Sequence, residues 1–380
     1  MEAVSAGGPV VIVGGGLAGA TAAESLRERG FEGEIVVFGA ESHLPYERPP
    51  LSKAVLLGDK SSDDAFVHDE AWWREHDIDV RTGSEVQSID LAGRRVVTTR
   101  GEQPYEWLVL ATGSEPRHLR LADESGKPVH YLRTVEDSLA LKDALTEGAR
   151  VAIVGGGWIG LEVAAAARKV GASVTVHEGA DLPLFAVLGP EVAQHFADLH
   201  RDHGVDLRLG TPVTSEDLSD ADLVVVGIGA APRTGLAEAA GLEVDDGVLV
   251  DELLRTSDEH VLAIGDIASQ LHPVLGRRVR VEHWDNAIGQ GKAAAATITG
   301  SAEPYATLPY FFTDQYDLGM EYFGNVGPDG YDRVQTRGDF SGPFRAWWIR
   351  DGVVVAAMQA NDWDASDATR ESVGQAPPEA

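Results

Sequence analysis

VVIVGGGLAG at residues 10–19 and VAIVGGGWIG at residues 151–160 are one phrase written twice, about 140 residues apart. In each copy an apolar run enters a glycine turn of the pattern G-x-G-x-x-G: Gly14, Gly16 and Gly19 in the first, Gly155, Gly157 and Gly160 in the second. A strand, such a turn and a helix form the pyrophosphate cradle of a dinucleotide-binding βαβ unit. The first glycine permits the tight turn, the second lets pyrophosphate reach the backbone, and the third lets helix and strand pack closely. Leu17 and Ala18, like Trp158 and Ile159, lie inside the two patterns and are candidate contacts of the same kind.

The flanks carry the same grammar. ATAAESLRERG (20–30) and LEVAAAARKVG (161–171) place apolar residues at helical spacing and end in glycine; EIVVF (34–38) and ASVTVHE (172–178) then read as second strands. In the second copy Glu178 ends that strand, about 20 residues past the turn, where an acid binds a ribose 2′-hydroxyl and repels a 2′-phosphate. NADH is therefore expected over NADPH. The first copy has Gly39 and Ala40 at this place, with Glu41 the nearest acid and the expected ribose contact.

Three more apolar runs end in glycine: WLVLATG (107–113), ADLVVVGIG (221–229) and HVLAIGD (260–266). In an open parallel sheet, ligands lie beyond the carboxyl ends of strands, where glycine admits a cofactor to the backbone. Ala111, Thr112, Gly113, Gly229, Gly265 and Asp266 are candidates on that ground. Thr134, with Asp137 three residues on, reads as a helix N-cap. From about residue 304 the texture turns to aromatics and alternation without a glycine fingerprint, which reads as a smaller third domain; residues 364–380 are polar and end near Pro377 and Pro378, as a flexible tail would.

Composition narrows the function. The 380 residues carry a formal charge of −30, so nucleic acid and anionic membranes are poor partners. There are no cysteines, which excludes disulfides, thiolate metal sites and any redox thiol in this chain. No metal site is expected. The amino-terminal MEAVSAGG lacks the basic and apolar parts of a secretory signal, and no apolar run approaches the roughly 18 residues of a membrane span, so a cytoplasmic location is expected.

Two dinucleotide units suit hydride transfer from a nicotinamide to a flavin. LVLATG (108–113) and TSDEHVLAIGD (256–266) resemble the further signatures of two-dinucleotide flavoprotein reductases. With PYERPPLSK (45–53), RVEHWDNAIGQG (280–291) and PYFFTDQYD (309–317), the chain resembles the oxygenase-coupled NADH-dependent ferredoxin reductases from residue 9 to about 325. The resemblance implies an α/β protein with two Rossmann-like, glutathione-reductase-like domains and a small C-terminal α+β domain. FAD would be held by residues 1–115 and 235–303, NADH by 116–234, and the C-terminal domain would span 304–363.

It also implies site residues. Asp266 would bind a ribityl hydroxyl; Arg48, Lys53, Val86, Arg133, Glu282, His283 and Trp284 would contact the flavin nucleotide; Glu162 would approach the nicotinamide and pair with Lys53 as a gate where the two cofactors meet. Lys53, Glu162 and Phe312 are the expected catalytic residues, with phenylalanine standing where the family usually has a tryptophan that covers the flavin. The implied acceptor is a ferredoxin-type iron–sulfur protein serving a cytochrome P450 or ring-hydroxylating oxygenase, docked through a basic island for which Arg277, Arg278 and Arg280 form the densest cluster. An NADH oxidase or quinone reductase, and a redox-switched interaction protein like apoptosis-inducing factor, are the competing readings; the chain would be a monomer or homodimer.

Overall fold

The structure, a computed structural model, describes residues 7–379. Most of the amino-terminal stretch read for a signal, and the last residue of the expected tail, lie outside them. The chain divides into two compact units. The first comprises the described part of Met1–Glu47 with Asp63–Glu115 and Ala231–Pro309.

Its centre is a parallel sheet in the order Val261–Ala263, Trp107–Leu110, Val10–Val13, Ile35–Phe38, Ile78–Arg81. The inner strands are apolar at every position because helices cover both faces of such a sheet, and Val10–Val13 and Ile35–Phe38 are buried throughout. Helix Leu17–Glu28 leaves the first glycine turn and packs on helix Trp284–Ile298. Gly291 makes that crossing possible: a Cβ there would stand 2.9 Å from both the Ala18 carbonyl oxygen and the Thr21 Cβ.

The second unit comprises Arg48–Ser62, Pro116–Ala230 and the described part of Tyr310–Ala380. It repeats the parallel sheet, in the order Asp206–Leu209, Ser173–Glu178, Arg150–Val154, Leu223–Val226, Val129–His130. Helix Trp158–Val170 follows the second turn and ends at Gly171 in the left-handed region, φ 92°. Thr134 caps helix Val135–Ala144 in a reciprocal box: its hydroxyl accepts from the Asp137 N–H at 3.2 Å, and the Asp137 carboxylate accepts from the Thr134 N–H at 2.8 Å.

Residues 310–360 form an antiparallel sheet in the order Tyr310–Gln315, Leu318–Gly324, Val353–Ala360, Phe344–Arg350, Arg333–Gly338. Helix Phe185–Asp202 lies on it. Leu188, Val192 and Phe196 share a core with Met320, Tyr322 and Trp348, and the Trp348 indole donates to the Leu188 carbonyl at 3.0 Å. One side of the C-terminal sheet thus shares its core with the nucleotide-binding segment, while Trp347, Ile349, Val354 and Ala357 form a smaller cluster of their own.

Two expectations need correcting. Residues 48–62, expected within the first domain, belong to the second unit, because Leu56 is buried with Leu141, Ile153 and Val163. Nor is the carboxyl-terminal stretch a flexible tail. It forms helix Ser366–Glu371, buries Thr369 at 1% exposure, and bonds its backbone to Val354 at Gly374 and Gln375. Arg370 lies over the Phe323 ring at 5.0 Å. Short anchors amid polar residues hold this segment, and average polarity conceals them.

His200, on helix Phe185–Asp202, is fully buried, and burial pushes its pKa down to about 4. The unfolded chain binds this proton near pH 6.5. Between those values the unfolded state carries more protons, so stability falls as pH drops from about 6.5 to about 4 and does not change further below that on this account. The loss is about 3 kcal/mol. Thermal melts at pH 7.5 and 4.5 are expected to show a smaller acid penalty in His200→Asn than in the parent; an equal penalty contradicts the assignment.

Candidate active site

The two glycine turns share one stereochemistry. Gly14 has φ 129° and Gly155 φ 107°, and a Cβ on either would overlap a carbonyl oxygen of the neighbouring strand's end, that of Ala111 or of Gly227. A Cβ on Gly19 or Gly160 would overlap the carbonyl oxygen of Gly14 or Gly155, at the point where helix packs on turn. The middle glycine differs. Nothing lies within 4 Å of a Cβ on Gly16, and only the Gly227 oxygen, at 3.8 Å, for Gly157. Two glycines in each turn are forced by the fold and the third faces open space at a helix N-terminus, which is the arrangement that receives a pyrophosphate. The residues present fit FAD and NADH on this test.

Around the first turn, Asp266 accepts from the Ser114 hydroxyl at 2.8 Å, and Gly265 donates its N–H to Gln290 at 2.8 Å. Gly113 has φ 70° and its carbonyl accepts from the Arg233 N–H at 2.9 Å; Thr112 donates its hydroxyl to the Arg233 carbonyl at 2.9 Å. Ala111 is buried beside Gly14, and Ala18 lies under Gly265. Glu41 accepts from the Tyr46 phenol. Val86 opens strand Val86–Asp90. Glu282 is ion-paired with Arg280, and His283 is the N-cap residue of the helix that Trp284 opens.

Around the second turn, Glu178 accepts from the N–H groups of Gly156 at 2.7 Å and Ala180 at 2.8 Å. It lines a cavity of about 520 Å³ with Gly155, Gly157, His177, Gly227 and Gly229. Burial lowers the His177 pKa, with nearby Asp217 and Asp206 opposing, so the imidazole beside Glu178 is kept neutral. Trp158 is not in that lining; its ring packs at 4.8 Å from Phe311, while Ile159 is exposed. Arg48 donates to the carbonyl of Arg133, so those two expected flavin contacts stand together.

Lys53, Glu162 and Phe312 are brought together from three elements. Lys53 follows the Pro49–Ser52 turn, Glu162 lies on helix Trp158–Val170, and Phe312 on strand Tyr310–Gln315. The ammonium is 2.7 Å from a Glu162 oxygen and 5.4 Å from the Phe312 ring centroid. Glu162 is 5% exposed and also accepts from the hydroxyls of Ser52 and, at 2.6 Å, Thr313. Ser52 and Thr313 were missed as functional residues, although both lie in the quoted motifs. The available signal was alternation: Thr313 and Gln315 are polar on the buried side of their strand.

The basic island is weaker than expected. Arg280 is held by Asp246 at 3.0 Å and by Glu282, and Arg278 donates to the carbonyls of Val250 and Ser269, so both cations are committed internally.

A parallel-sheet protein with two such cradles in one chain is a two-dinucleotide oxidoreductase. The chain belongs to the pyridine nucleotide-disulphide oxidoreductase family, which matches residues 8–291, and residues 310–377 match the reductase C-terminal domain. It is 43% identical over 371 residues to the anthranilate 1,2-dioxygenase system ferredoxin–NAD(+) reductase component of Burkholderia cepacia, covering 93% of this chain and 91% of that protein. It is 36% identical to putidaredoxin reductase CamA of Pseudomonas putida, covering 93% and 88%. Among solved structures, the covalent putidaredoxin reductase–putidaredoxin complex matches with a TM-score of 0.91 at 34% identity, over 97% of this chain and 94% of that one. The family is named for a disulphide, yet this chain has no cysteine to form one.

Proposed function

We propose that the chain is an NADH-dependent flavoprotein reductase that takes a hydride from NADH and passes electrons singly to a ferredoxin-type iron–sulfur protein, for a cytochrome P450 or ring-hydroxylating oxygenase. The observation that carries this reading is two complete glycine cradles in a chain without cysteine: two dinucleotides, and no thiol to take the electrons onward. FAD, when bound, supplies hydride acceptance and one-electron release. The relatives' names, which couple an NAD-linked reductase to a ferredoxin or to putidaredoxin, support the choice of acceptor.

The chain's own residues bind, orient and balance charge. Gly14, Gly16 and Gly19 would hold the FAD pyrophosphate, Glu41 its ribose and Asp266 its ribityl chain, with Glu282, His283 and Trp284 as the residues that would contact the flavin. Gly155, Gly157 and Gly160 hold the NADH pyrophosphate. Lys53 would supply positive charge to a bound flavin, Glu162 sets where that ammonium stands, and Phe312 would offer an apolar face. We read the chain as a cytoplasmic enzyme, since NADH is supplied there; among the described residues no helix is long and apolar enough to cross a membrane.

Glu178 decides the nucleotide. Its carboxylate binds ribose hydroxyls and repels a 2′-phosphate, so Glu178→Gln is expected to raise the KM for NADH about 10-fold and to narrow the preference over NADPH, as loss of a charge-assisted bond would. Steady-state kinetics with both nucleotides check this; an unchanged preference contradicts it. The broader test is an anaerobic absorption titration. Flavin bands bleached by NADH, and much less readily by NADPH, are expected, whereas a protein that stays colourless with added FAD overturns the assignment. The internal commitment of Arg278 and Arg280 favours one second reading, a quinone or oxygen reductase, recognised by turnover that ferredoxin does not accelerate.

A further inference from the structure

Glu162 stands at one end of a buried chain of hydrogen bonds that runs through three elements to the surface. The Thr313 hydroxyl donates to it at 2.6 Å; Gln315 Nε2 lies 3.2 Å from Thr313 Oγ1; His200 Nε2 lies 2.8 Å from Gln315 Oε1; the Tyr316 hydroxyl lies 3.2 Å from His200 Nδ1. Thr313, Gln315 and His200 are each at most 1% exposed. Beyond Tyr316, the ring of exposed His203 stacks at 3.7 Å.

The direction of every bond follows from its first member. A carboxylate ion-paired with Lys53 only accepts, so Thr313 donates to it and must itself accept from the Gln315 amide nitrogen. That turns the Gln315 oxygen to His200, which must then carry its proton on Nε2 and accept from Tyr316 on Nδ1. All the donors point toward Glu162, and such chains polarise one another cooperatively. The chain does not carry protons inward, because an amide in the middle donates and accepts without exchanging a proton along the line.

We propose that Thr313, Gln315 and neutral His200 are positioning residues, a brace that fixes the Glu162 carboxylate and through it the Lys53 ammonium. The proposal rests on the functional reading above, and it explains why helix Phe185–Asp202 delivers a polar residue into an apolar core. Groups facing His200 agree with a neutral ring: Gln315 and Tyr316 from the C-terminal sheet and its turn, His203 from the end of its own helix, and Arg168 from helix Trp158–Val170, which acts on Tyr316. None is a carboxylate that would hold it charged.

The test uses the FAD-loaded protein and two readouts. In anaerobic stopped-flow reduction, Thr313→Val is expected to lower the limiting rate of flavin bleaching by NADH about 10-fold with the NADH Kd unchanged within about 2-fold, since a misplaced charge acts on the reaction more than on binding. Thr313→Ser, which keeps the hydroxyl, is expected to stay near the parent rate. A parent-like rate in Thr313→Val overturns the brace.

The second readout does not depend on turnover. In protein labelled with 15N-histidine, the His200 ring is expected to be the Nε2–H tautomer from pH 8 to pH 5.5. Gln315→Glu replaces the amide with acceptors only, so His200 is expected to take up a proton within that range, and the reduction rate to gain the same titration. An Nδ1–H tautomer in the parent, or an unshifted His200 in Gln315→Glu, overturns the proposal. A parent protein that NADH does not bleach while the tautomer stands as expected would instead count against the functional reading alone.

Discussion

Valine in place of Gly160 is expected to yield a protein that keeps its flavin colour but that NADH no longer bleaches at a useful rate. A Cβ at this position would overlap the Gly155 carbonyl oxygen, which is backbone and cannot swing aside. The turn must open for the side chain to fit, and the helix N-terminus moves away from the pyrophosphate. A displacement of about 1 Å at a positioning element costs on the order of 100-fold in rate, and valine demands at least that. Gly19→Val makes the same overlap with the Gly14 carbonyl oxygen in the first unit, and the expected outcome is the reverse: a folded protein that retains little FAD. Flavin content by absorbance, and flavin reduction with excess NADH, separate the two variants. If Gly160→Val loses FAD while Gly19→Val keeps it, the assignment of the two cradles is inverted.

The second large effect concerns the buried ion pair. Lys53→Met leaves the Glu162 carboxylate, 5% exposed, with only the Ser52 and Thr313 hydroxyls as donors among the described residues. Removing one partner of a buried pair costs about 3–5 kcal/mol, mostly because the other charge is stranded. Substituting both residues by apolar ones is far milder, so Lys53→Met with Glu162→Leu is expected to melt higher than Lys53→Met alone. Flavin reduction is not rescued: both variants are expected to fall about 100-fold or more in limiting rate, because the positive charge is gone from each. Melting temperatures with single-turnover rates check the pair. A double variant that melts lower than Lys53→Met, or any variant lacking Lys53 that is reduced at the parent rate, contradicts the role given to this pair.

The parts of the fold that were legible in the sequence are those in which backbone geometry demands a residue type. Gly14, Gly155, Gly19 and Gly160 are written into the chain because a Cβ at each would strike main chain, and the apolar strands before them are continuous because helices cover both faces of the sheet. The Thr134 cap was readable for the same local reason. What the sequence concealed was assembled from distant segments. Residues 48–62 follow the first nucleotide unit along the chain, yet Leu56 inserts into the core of the second. The carboxyl-terminal helix holds on through Thr369, Arg370 and the backbone at Gly374, too few anchors to lift a polar stretch above the level of a tail.

The candidate site divides along the same line. Lys53, Glu162 and Phe312 were named from motifs that carry them, and they stand together. Ser52 and Thr313 complete the carboxylate's surroundings from within those motifs, but no spacing rule connects positions 52, 162 and 313. His200 had no signal, being one of two histidines, with His195, on an amphipathic helix. Of the three arginines read as a docking island, Arg278 and Arg280 are held by partners that come from elsewhere in the chain, Asp246, Val250 and Ser269, which no local pattern reveals.

The central claim is that electrons enter from NADH as a pair and leave singly to an iron–sulfur protein. Mixing the FAD-loaded protein anaerobically with limiting NADH and an excess of oxidised plant-type ferredoxin, while following flavin and iron–sulfur absorption together, tests it most directly. The account predicts that each NADH consumed reduces a pair of one-electron ferredoxins and that the flavin returns to its oxidised spectrum. A flavin that NADH bleaches but that stays reduced in the presence of every ferredoxin tried, and is reoxidised only by quinone or oxygen, would contradict it.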